Sequence, residues 1–186
     1  ESHLWYRSDG TREKWYQHEG LEGFDKEKTT EYNENGIRIS EQENVTRHDV
    51  KDGAFQDSYL LISIYNDSGK LTFRTSRIEV AKPADPTGEL GKYYYSAQYD
   101  ISATGVVLYT HVYDVITGEE IAELSGSGYR TPGTIIEDIH DMINQAEMDA
   151  DLAARLAAEA AAAAQTDIDG VTVVGQSAEQ EQGILD

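Results

Sequence analysis

The chain contains 186 residues, of which 35 are acidic and 15 are Lys or Arg, so its formal net charge at pH 7 is −20. A surface of that sign repels phosphate backbones and anionic lipid headgroups, which argues against nucleic acid as a partner. The chain has no cysteine, which excludes disulfides, thiolate metal sites and cysteine nucleophiles. No apolar run approaches the roughly 20 residues that a membrane-spanning helix needs, so the sequence predicts no membrane span.

The first residue bears on the expected location of the protein. The chain begins at Glu1 and has no basic, apolar leader ahead of it. Such a start is typical of a mature exported protein whose signal segment has been removed, so we expect an extracellular or periplasmic location. A trimmed chain would begin in the same way, and this alternative stays open.

Residues 1–130 are predicted to form an antiparallel β domain, because aromatic and β-branched residues alternate with polar ones between turn-forming residues. A turn element of Tyr, three polar residues and Gly recurs in this region. It occurs at 6–10, 32–36 and 65–69, and in a longer form at 113–118. The Gly tolerates a positive φ at a hairpin tip, and Asn35-Gly36 predicts a type I′ turn.

The alternating pattern predicts three hairpins before a proline-containing connector at 82–92. The hairpins are expected at 3–16, 29–40 and 59–80, and the polar region 41–55 is expected to be a loop or a short helix. In the third hairpin, Leu60, Ile62 and Ile64 share one face because side chains alternate along a strand. We expect that apolar face to look into the core.

A tyrosine-rich meander is predicted after the connector. Its three β runs are expected at 93–101, 106–115 and 120–129. Within it, His111 is expected to be a packed or hydrogen-bonded structural residue. The candidates for a ligand-stacking face are Tyr93, Tyr95, Tyr99, Tyr109 and Tyr113. A monomeric module that binds a small ligand or carbohydrate on these rings is the alternative functional hypothesis.

The last third of the chain carries the most informative pattern, a seam of small apolar residues at coiled-coil spacing. The seam consists of Ile136, Ile139, Ile143, Ala146, Ala150, Ala153, Ala157, Ala160 and Ala164. It predicts one long helix over 131–166, which Thr134 begins with Glu137 as its partner in a capping box. Gly170 helps to stop the helix, so 167–186 is predicted to be a tail with at most one short strand.

Two polar constellations match fragments of metal sites. Asp167 and Asp169 before Gly170 resemble part of a calcium loop, but the glutamate at the twelfth position is missing. A helix-stopping turn is therefore favoured over a Ca²⁺ site. Glu137 and His140 lie at i and i+3, as in half of a di-iron site, but the chain supplies no second pair. We expect no cofactor and no metal.

These patterns predict an α+β protein with one β domain, one long helix and a tail. At about 1.5 Å per residue the helix would be roughly 45 Å long, which exceeds the flank of a domain of this size. We therefore expect a homo-oligomer or filament that assembles through the helix seam and strand edges. No catalytic motif is recognisable, so a non-enzymatic structural or interaction protein is the leading hypothesis. A metal-dependent enzyme would need Glu137, His140 and His111 to converge.

Overall fold

A computed structural model describes residues 1–21, 23–48, 56–82 and 91–182, with only the backbone described at 21, 48, 56 and 162–182. These residues form nine antiparallel strands followed by one long helix, which confirms the predicted α+β class. The elements are β1 (Ser2–Tyr6), β2 (Arg12–Leu21), β3 (Phe24–Tyr32), β4 (Arg38–His48), β5 (Gln56–Tyr65), β6 (Leu71–Ala81), β7 (Lys92–Ile101), β8 (Val107–Asp114), β9 (Gly126–Ser127) and α1 (Pro132–Gln182). The chain divides into two compact units, Glu1–Ile139 and His140–Asp186.

The strands lie in one sheet in the order of the chain, and each is antiparallel to its neighbours. The three predicted hairpins are confirmed as β1/β2, β3/β4 and β5/β6. Because consecutive strands run in opposite directions, their connections lie alternately at the two ends of the sheet. The tips of β1/β2, β3/β4, β5/β6 and β7/β8 therefore all lie at one end. We call this end the tip end.

Strand β4 occupies 41–48, where the sequence predicts a loop or a short helix, and that prediction is wrong for these residues. The remainder of the predicted loop, 49–55, lies outside the described residues. Glu41 Oε2 lies 3.0 Å from Lys28 Nζ and Glu43 Oε2 lies 2.7 Å from Lys26 Nζ. Opposite charges across neighbouring strands stabilise their pairing. The two glutamates occupy positions at which apolar residues would have identified a strand in the sequence.

The hairpin tips share one turn geometry. Each ends at a glycine with a φ of 73–85°, whose N–H donates to the carbonyl three residues earlier at 2.8–3.0 Å. These glycines are Gly10, Gly36, Gly69 and Gly105. A type I′ turn needs a positive φ at two central residues, and no described residue other than glycine has one. The type I′ prediction at Asn35-Gly36 is therefore wrong, and the geometry is a type I turn followed by a left-handed glycine.

The local cause of this turn is visible at the second tip. Asn33 Oδ1 accepts hydrogen bonds from the backbone N–H groups of Asn35 and Ile37, at 3.0 and 2.9 Å. An Asn side chain that bonds to the backbone two residues later holds the intervening residues at negative φ. Asn66 accepts two equivalent bonds at the third tip. At these two tips the Asn side chain at the start of the loop stabilises the turn.

Strand β5 shows which face of the sheet carries the core. Leu61 and Ser63 are buried, whereas Ile64 is 44% exposed and Leu60 and Ile62 are only half-buried. The prediction that Leu60, Ile62 and Ile64 face the core is therefore wrong.

The face that contains Leu61 continues through Ser76, Ala97 and Val112, which are paired across β6, β7 and β8. We call it the covered face and its opposite the open face. Ser63, Ser76 and Ala97 are small and buried. The larger apolar side chains of Leu124, Ile135, Ile136 and Ile139 are buried in the same unit of the chain.

The third run of the predicted meander is mostly not a strand, whereas the first two are confirmed as β7 and β8. Within 120–129 only β9 and a single bridge between Glu120 and Tyr113 pair with β8. Residues 122–124 form a turn that buries Leu124. The Arg130 guanidinium donates to the Leu124 carbonyl, which holds this turn against the core.

Helix α1 begins at Pro132, which lies inside the predicted range 131–166 but two residues before Thr134, the predicted N-terminal cap. Thr131 Oγ1 accepts the backbone N–H of Thr134 at 3.1 Å, so Thr131 is the N-cap and Pro132 occupies the first helical position. The predicted capping box is wrong. Glu137 instead lies 3.5 Å from Arg47 of β4, measured from Oε1 to Nη1, and this ion pair joins the helix start to the covered face.

Helix α1 also continues past its predicted end. It passes through Asp167 and Gly170 to Gln182, so the predicted tail and short strand are wrong as far as 182. Each residue added to an existing helix gains a hydrogen bond without a new nucleation cost, whereas an added strand needs a partner. The described residues contain no helix that is both long enough and apolar enough to cross a bilayer.

Candidate functional site

The predicted seam has a buried part and an exposed part. Ile136 and Ile139 are each 1% exposed, the neighbouring Ile135 is fully buried, and Ile143 is half-buried. The alanines of the seam are exposed at Ala146, Ala150, Ala153, Ala157 and Ala160. The side chain of Ala164 lies outside the described residues. The isoleucines in the first turns of the seam are therefore buried by other residues of the same chain, whereas the described alanines of the seam are exposed to solvent.

Larger apolar side chains are also exposed on the same stretch of the helix, and the seam prediction missed them. Met148 is 66% exposed, Leu152 is 54% exposed and Leu156 is 57% exposed. Their spacing of four places them along one side of the helix. Leu156 follows Ala153 by three residues and precedes Ala160 by four, so Leu156 adjoins the seam. Met148 lies two residues from both Ala146 and Ala150, which places it on the opposite side of the helix. The spacing of four residues between Met148, Leu152 and Leu156 could have identified this row from the sequence.

We call the seam alanines together with Leu156 the α1 surface. It is defined by Ala146, Ala150, Ala153, Leu156, Ala157 and Ala160. Asp149 adjoins this surface and accepts a hydrogen bond from Gln145, with Nε2 and Oδ1 2.9 Å apart. Charged residues occur beside it on the same helix, at Asp151, Arg155 and Glu159. The α1 surface is thus an exposed apolar strip on an acidic helix.

The five tyrosines that were candidates for one stacking face lie on two faces. The strand register places Tyr93, Tyr95 and Tyr99 on the covered face and Tyr109 and Tyr113 on the open face. Tyr99 is buried, its hydroxyl donates to the Arg130 carbonyl at 3.3 Å, and burial raises its pKa to about 12. The five rings therefore cannot contact one ligand together.

His111 lies between Tyr109 and Tyr113 on the open face, with ring centroids 4.6 and 6.3 Å away. Its Nδ1 lies 2.8 Å from Glu120 Oε1 and its Nε2 lies 3.2 Å from Asp100 Oδ2. Hydrogen bonds to these two carboxylates raise the pKa of His111, because they stabilise the charged imidazolium. This geometry agrees with the predicted hydrogen-bonded histidine.

The residues considered for metal binding are not brought together. Glu137 pairs with Arg47 on the covered face, whereas His111 lies on the open face. In the part of the chain that the structure describes, no group of three or more His, Cys, Asp or Glu side chains is arranged to hold a metal ion. Asp167 and Asp169 lie in helical backbone rather than in a loop, and their side chains lie outside the described residues.

Strand β1 forms one edge of the sheet and is exposed along its whole length. Glu1 and His18 exchange both backbone hydrogen bonds at 2.7 Å. Because bonded and non-bonded positions alternate along an antiparallel pair, the N–H groups of Ser2 and Leu4 point away from β2. Edge strands are commonly protected by Lys or Pro, and β1 contains neither.

A comparison of the chain with family models, with curated proteins and with solved structures finds no match. A sheet followed by a helix does not by itself indicate an activity, since function lies in sites rather than in folds. The function must therefore be argued from the exposed surfaces of this chain.

Proposed function

We propose that this chain is a non-enzymatic structural or interaction protein that self-associates through the α1 surface. The observation that carries the proposal is a continuous row of exposed alanines with the 57% exposed side chain of Leu156 beside it. Removing one side chain of this size from water stabilises a contact by about 1.5–3 kcal/mol. Alanines allow two helices to approach closely, which adds dispersion contacts along the seam.

A second copy of the same chain is the proposed occupant of the α1 surface. The seam positions carry no charge, so two copies can meet there without burying an unpaired ion. The flanking acidic residues repel one another when two such helices approach. Added salt screens this repulsion, so self-association is expected to strengthen with ionic strength. A basic partner would show the opposite salt dependence, which distinguishes the two occupants.

Sedimentation equilibrium tests the proposal with two variants that differ only in helix face. The double variant Ala153→Glu plus Ala157→Glu places two charges in the seam. The control variant Ala154→Glu plus Ala158→Glu makes the same change one residue further on, about 100° around the helix.

The wild type and the control are expected to associate at about 50 μM, a range in which micromolar affinity is detectable. The seam variant is expected to sediment as a monomer of 20.7 kDa. A monomeric wild type, or identical behaviour of the two variants, would contradict the proposal.

We also propose that the β1 edge adds a second contact, because its outward N–H and carbonyl groups are suited to pairing with another strand. The variant Leu4→Pro removes one outward N–H and leaves the bonds to β2 in place. The matched variant Leu4→Thr keeps that N–H. Light scattering at high concentration should show fewer large assemblies for Leu4→Pro than for Leu4→Thr. Equal scattering from both variants would contradict a role for this edge.

A further inference from the structure

A groove of about 620 Å³ lies on the covered face at the tip end of the sheet. Its lining includes three cationic residues, Arg38, Lys70 and Arg74, together with the rings of Tyr65 and Tyr129. None of its described lining residues is acidic. In a chain with a net charge of −20, this groove is a local reversal of the surface charge.

Arg74 is held in a fixed position within the groove. Its Nε donates to Ser63 Oγ at 3.0 Å, and its guanidinium lies 4.7 Å from the centroid of the Tyr129 ring. Its two terminal nitrogens have no hydrogen-bond or ion-pair partner among the described residues. A planar guanidinium with two free nitrogens matches the two oxygens of a carboxylate or phosphate. Because the side chain is already ordered, little entropy remains to be lost on binding.

Each of the other two cations already holds a partner outside the groove's aromatic rings, and both add positive potential. Arg38 lies 4.0 Å over the Tyr65 ring and its Nη1 lies 3.0 Å from Glu41 Oε2. Lys70 Nζ donates to the Ala103 carbonyl at 2.7 Å, which joins the third hairpin tip to the fourth. This arrangement needs glycine at Gly105, since a Cβ there would lie 2.6 Å from Lys70 Cγ.

Carboxylates on the covered face near the groove are already paired. Glu41 lies 3.0 Å from Lys28 and Glu43 lies 2.7 Å from Lys26. Burial opposes the ionisation of Glu43, but hydrogen bonds from Lys26 and Tyr59 outweigh it and lower the pKa of this carboxyl. Its charge is balanced by the adjacent lysine. Glu41 also pairs with Arg38 and offsets part of the charge of that cation, but among the contacts of the described residues neither carboxylate forms an ion pair with Arg74.

We propose that this groove binds a small organic anion, with a carboxylate or phosphate on Arg74 and a ring or apolar body against Tyr65 and Tyr129. The volume falls within the roughly 300–1,000 Å³ that is typical of small-molecule sites. Aromatic rings beside a cation suit a flat ligand that carries an oxyanion. The groove lies in the unit Glu1–Ile139, so this proposal is independent of self-association through the α1 surface.

Binding is tested by NMR titration of the full chain with phenyl phosphate, benzoate and the neutral benzyl alcohol. The amide signals of Gly69 and Gly105 report on the groove lining. The test variant is Arg74→Gln, and the matched control is Arg77→Gln, which changes an exposed arginine on the same strand but on the open face. A well-dispersed amide spectrum shows that each variant is folded, and Arg74→Lys provides a second variant that keeps the charge but loses the planar fork.

At least one anionic probe should bind the wild type and Arg77→Gln equally. The same probe should bind Arg74→Gln at least about tenfold more weakly, as expected for the loss of a charge-assisted bidentate contact. Arg74→Lys should lie between them. Binding of both anionic probes, or of one alone, identifies which oxyanion the groove accepts.

The proposal is overturned if neither anion shifts the two glycine signals at concentrations up to about 10 mM, well into the weak-binding range. It is also overturned if benzyl alcohol binds as tightly as the anions, or if Arg74→Gln and Arg77→Gln have the same affinity. Should Arg74→Gln prove unfolded, an affinity of Arg74→Lys equal to that of the wild type would contradict the role of the planar fork.

Discussion

The two parts of the predicted seam carry the same spacing and meet different surroundings. Ile136 and Ile139 are buried within the first unit, whereas Ala153 and Ala157 on the second unit are exposed. Apolar periodicity therefore indicates that a helix face is suited to contact, but it does not indicate what the face contacts. The size of the side chains separates the two parts, because isoleucines fill a core while alanines leave room for a close neighbour.

Truncation of one side chain from the buried part of the seam and of one exposed side chain from the second unit should give the largest difference. Ile139→Ala removes a fully buried side chain, so it should lower the free energy of unfolding by about 2–5 kcal/mol. Leu152→Ala truncates an exposed side chain and should change that free energy by less than about 0.5 kcal/mol in the monomer. Urea unfolding at low micromolar concentration, followed by the near-ultraviolet signal of the tyrosines, measures both. Equal losses of unfolding free energy in the two variants would contradict the difference between the buried and the exposed part of the helix.

The hairpin tips also show one local pattern in different surroundings. The same turn occurs at each tip, but the atoms that surround it differ. Gly36 and Gly105 both have a positive φ, but a Cβ at Gly36 would meet nothing within 4 Å, while one at Gly105 would lie 2.6 Å from Lys70 Cγ and 3.2 Å from the Leu71 backbone nitrogen. Gly36→Ala should cost about 1–2 kcal/mol from the left-handed conformation alone.

Gly105→Ala carries the same conformational cost and must also displace Lys70. Its loss of stability should exceed that of Gly36→Ala by about 1 kcal/mol or more, in the range of overpacked sites. Thermal unfolding of the two variants side by side gives the difference. If Gly105→Ala is no less stable than Gly36→Ala, the close approach of the third and fourth tips is not present in solution.

Neighbouring carboxylates also change the ionisation of His111. Of the effects predicted here, this one is expected to change the free energy of unfolding least. Its folded pKa is raised by Glu120 and Asp100. The resulting stabilisation is fully present below the unfolded pKa and is lost as the pH rises through the folded pKa. An NMR titration of the ring should give a midpoint above the ordinary histidine value of 6.5, and Glu120→Gln should lower that midpoint. A wild-type midpoint at or below the ordinary value would show that the two carboxylates do not hold the ring.

The sequence predicts those features that depend on neighbours along the chain. Alternation and turn glycines predict the hairpins, and the absence of Gly and Pro between 134 and 166 predicts a helix there. The capping box at Thr134 is wrong by a few residues, because Thr131 followed by a proline satisfies the same N–H groups.

Features that depend on distant residues were not predictable in the same way. Strand β4 has an irregular apolar pattern because Glu41 and Glu43 pair with lysines of β3, and that pairing is known only from the register. The face of β5 that becomes the core is chosen by what covers it, so the more apolar face of Ile62 and Ile64 stays uncovered. The groove around Arg74 likewise joins residues from β4, β5, β6, the fourth tip and the segment before α1.

The most direct test of self-association uses the absence of cysteine in this chain. Single cysteines introduced along the seam, at Ala146, Ala150, Ala153, Ala157 and Ala160, are compared with single cysteines at Ala154 and Ala158 on the adjacent face. Under mild oxidation at about 50 μM, at least one seam cysteine should link two chains much faster than either control, because a disulfide needs its two Cα atoms within about 7 Å. Equal and slow cross-linking at every position would contradict the account.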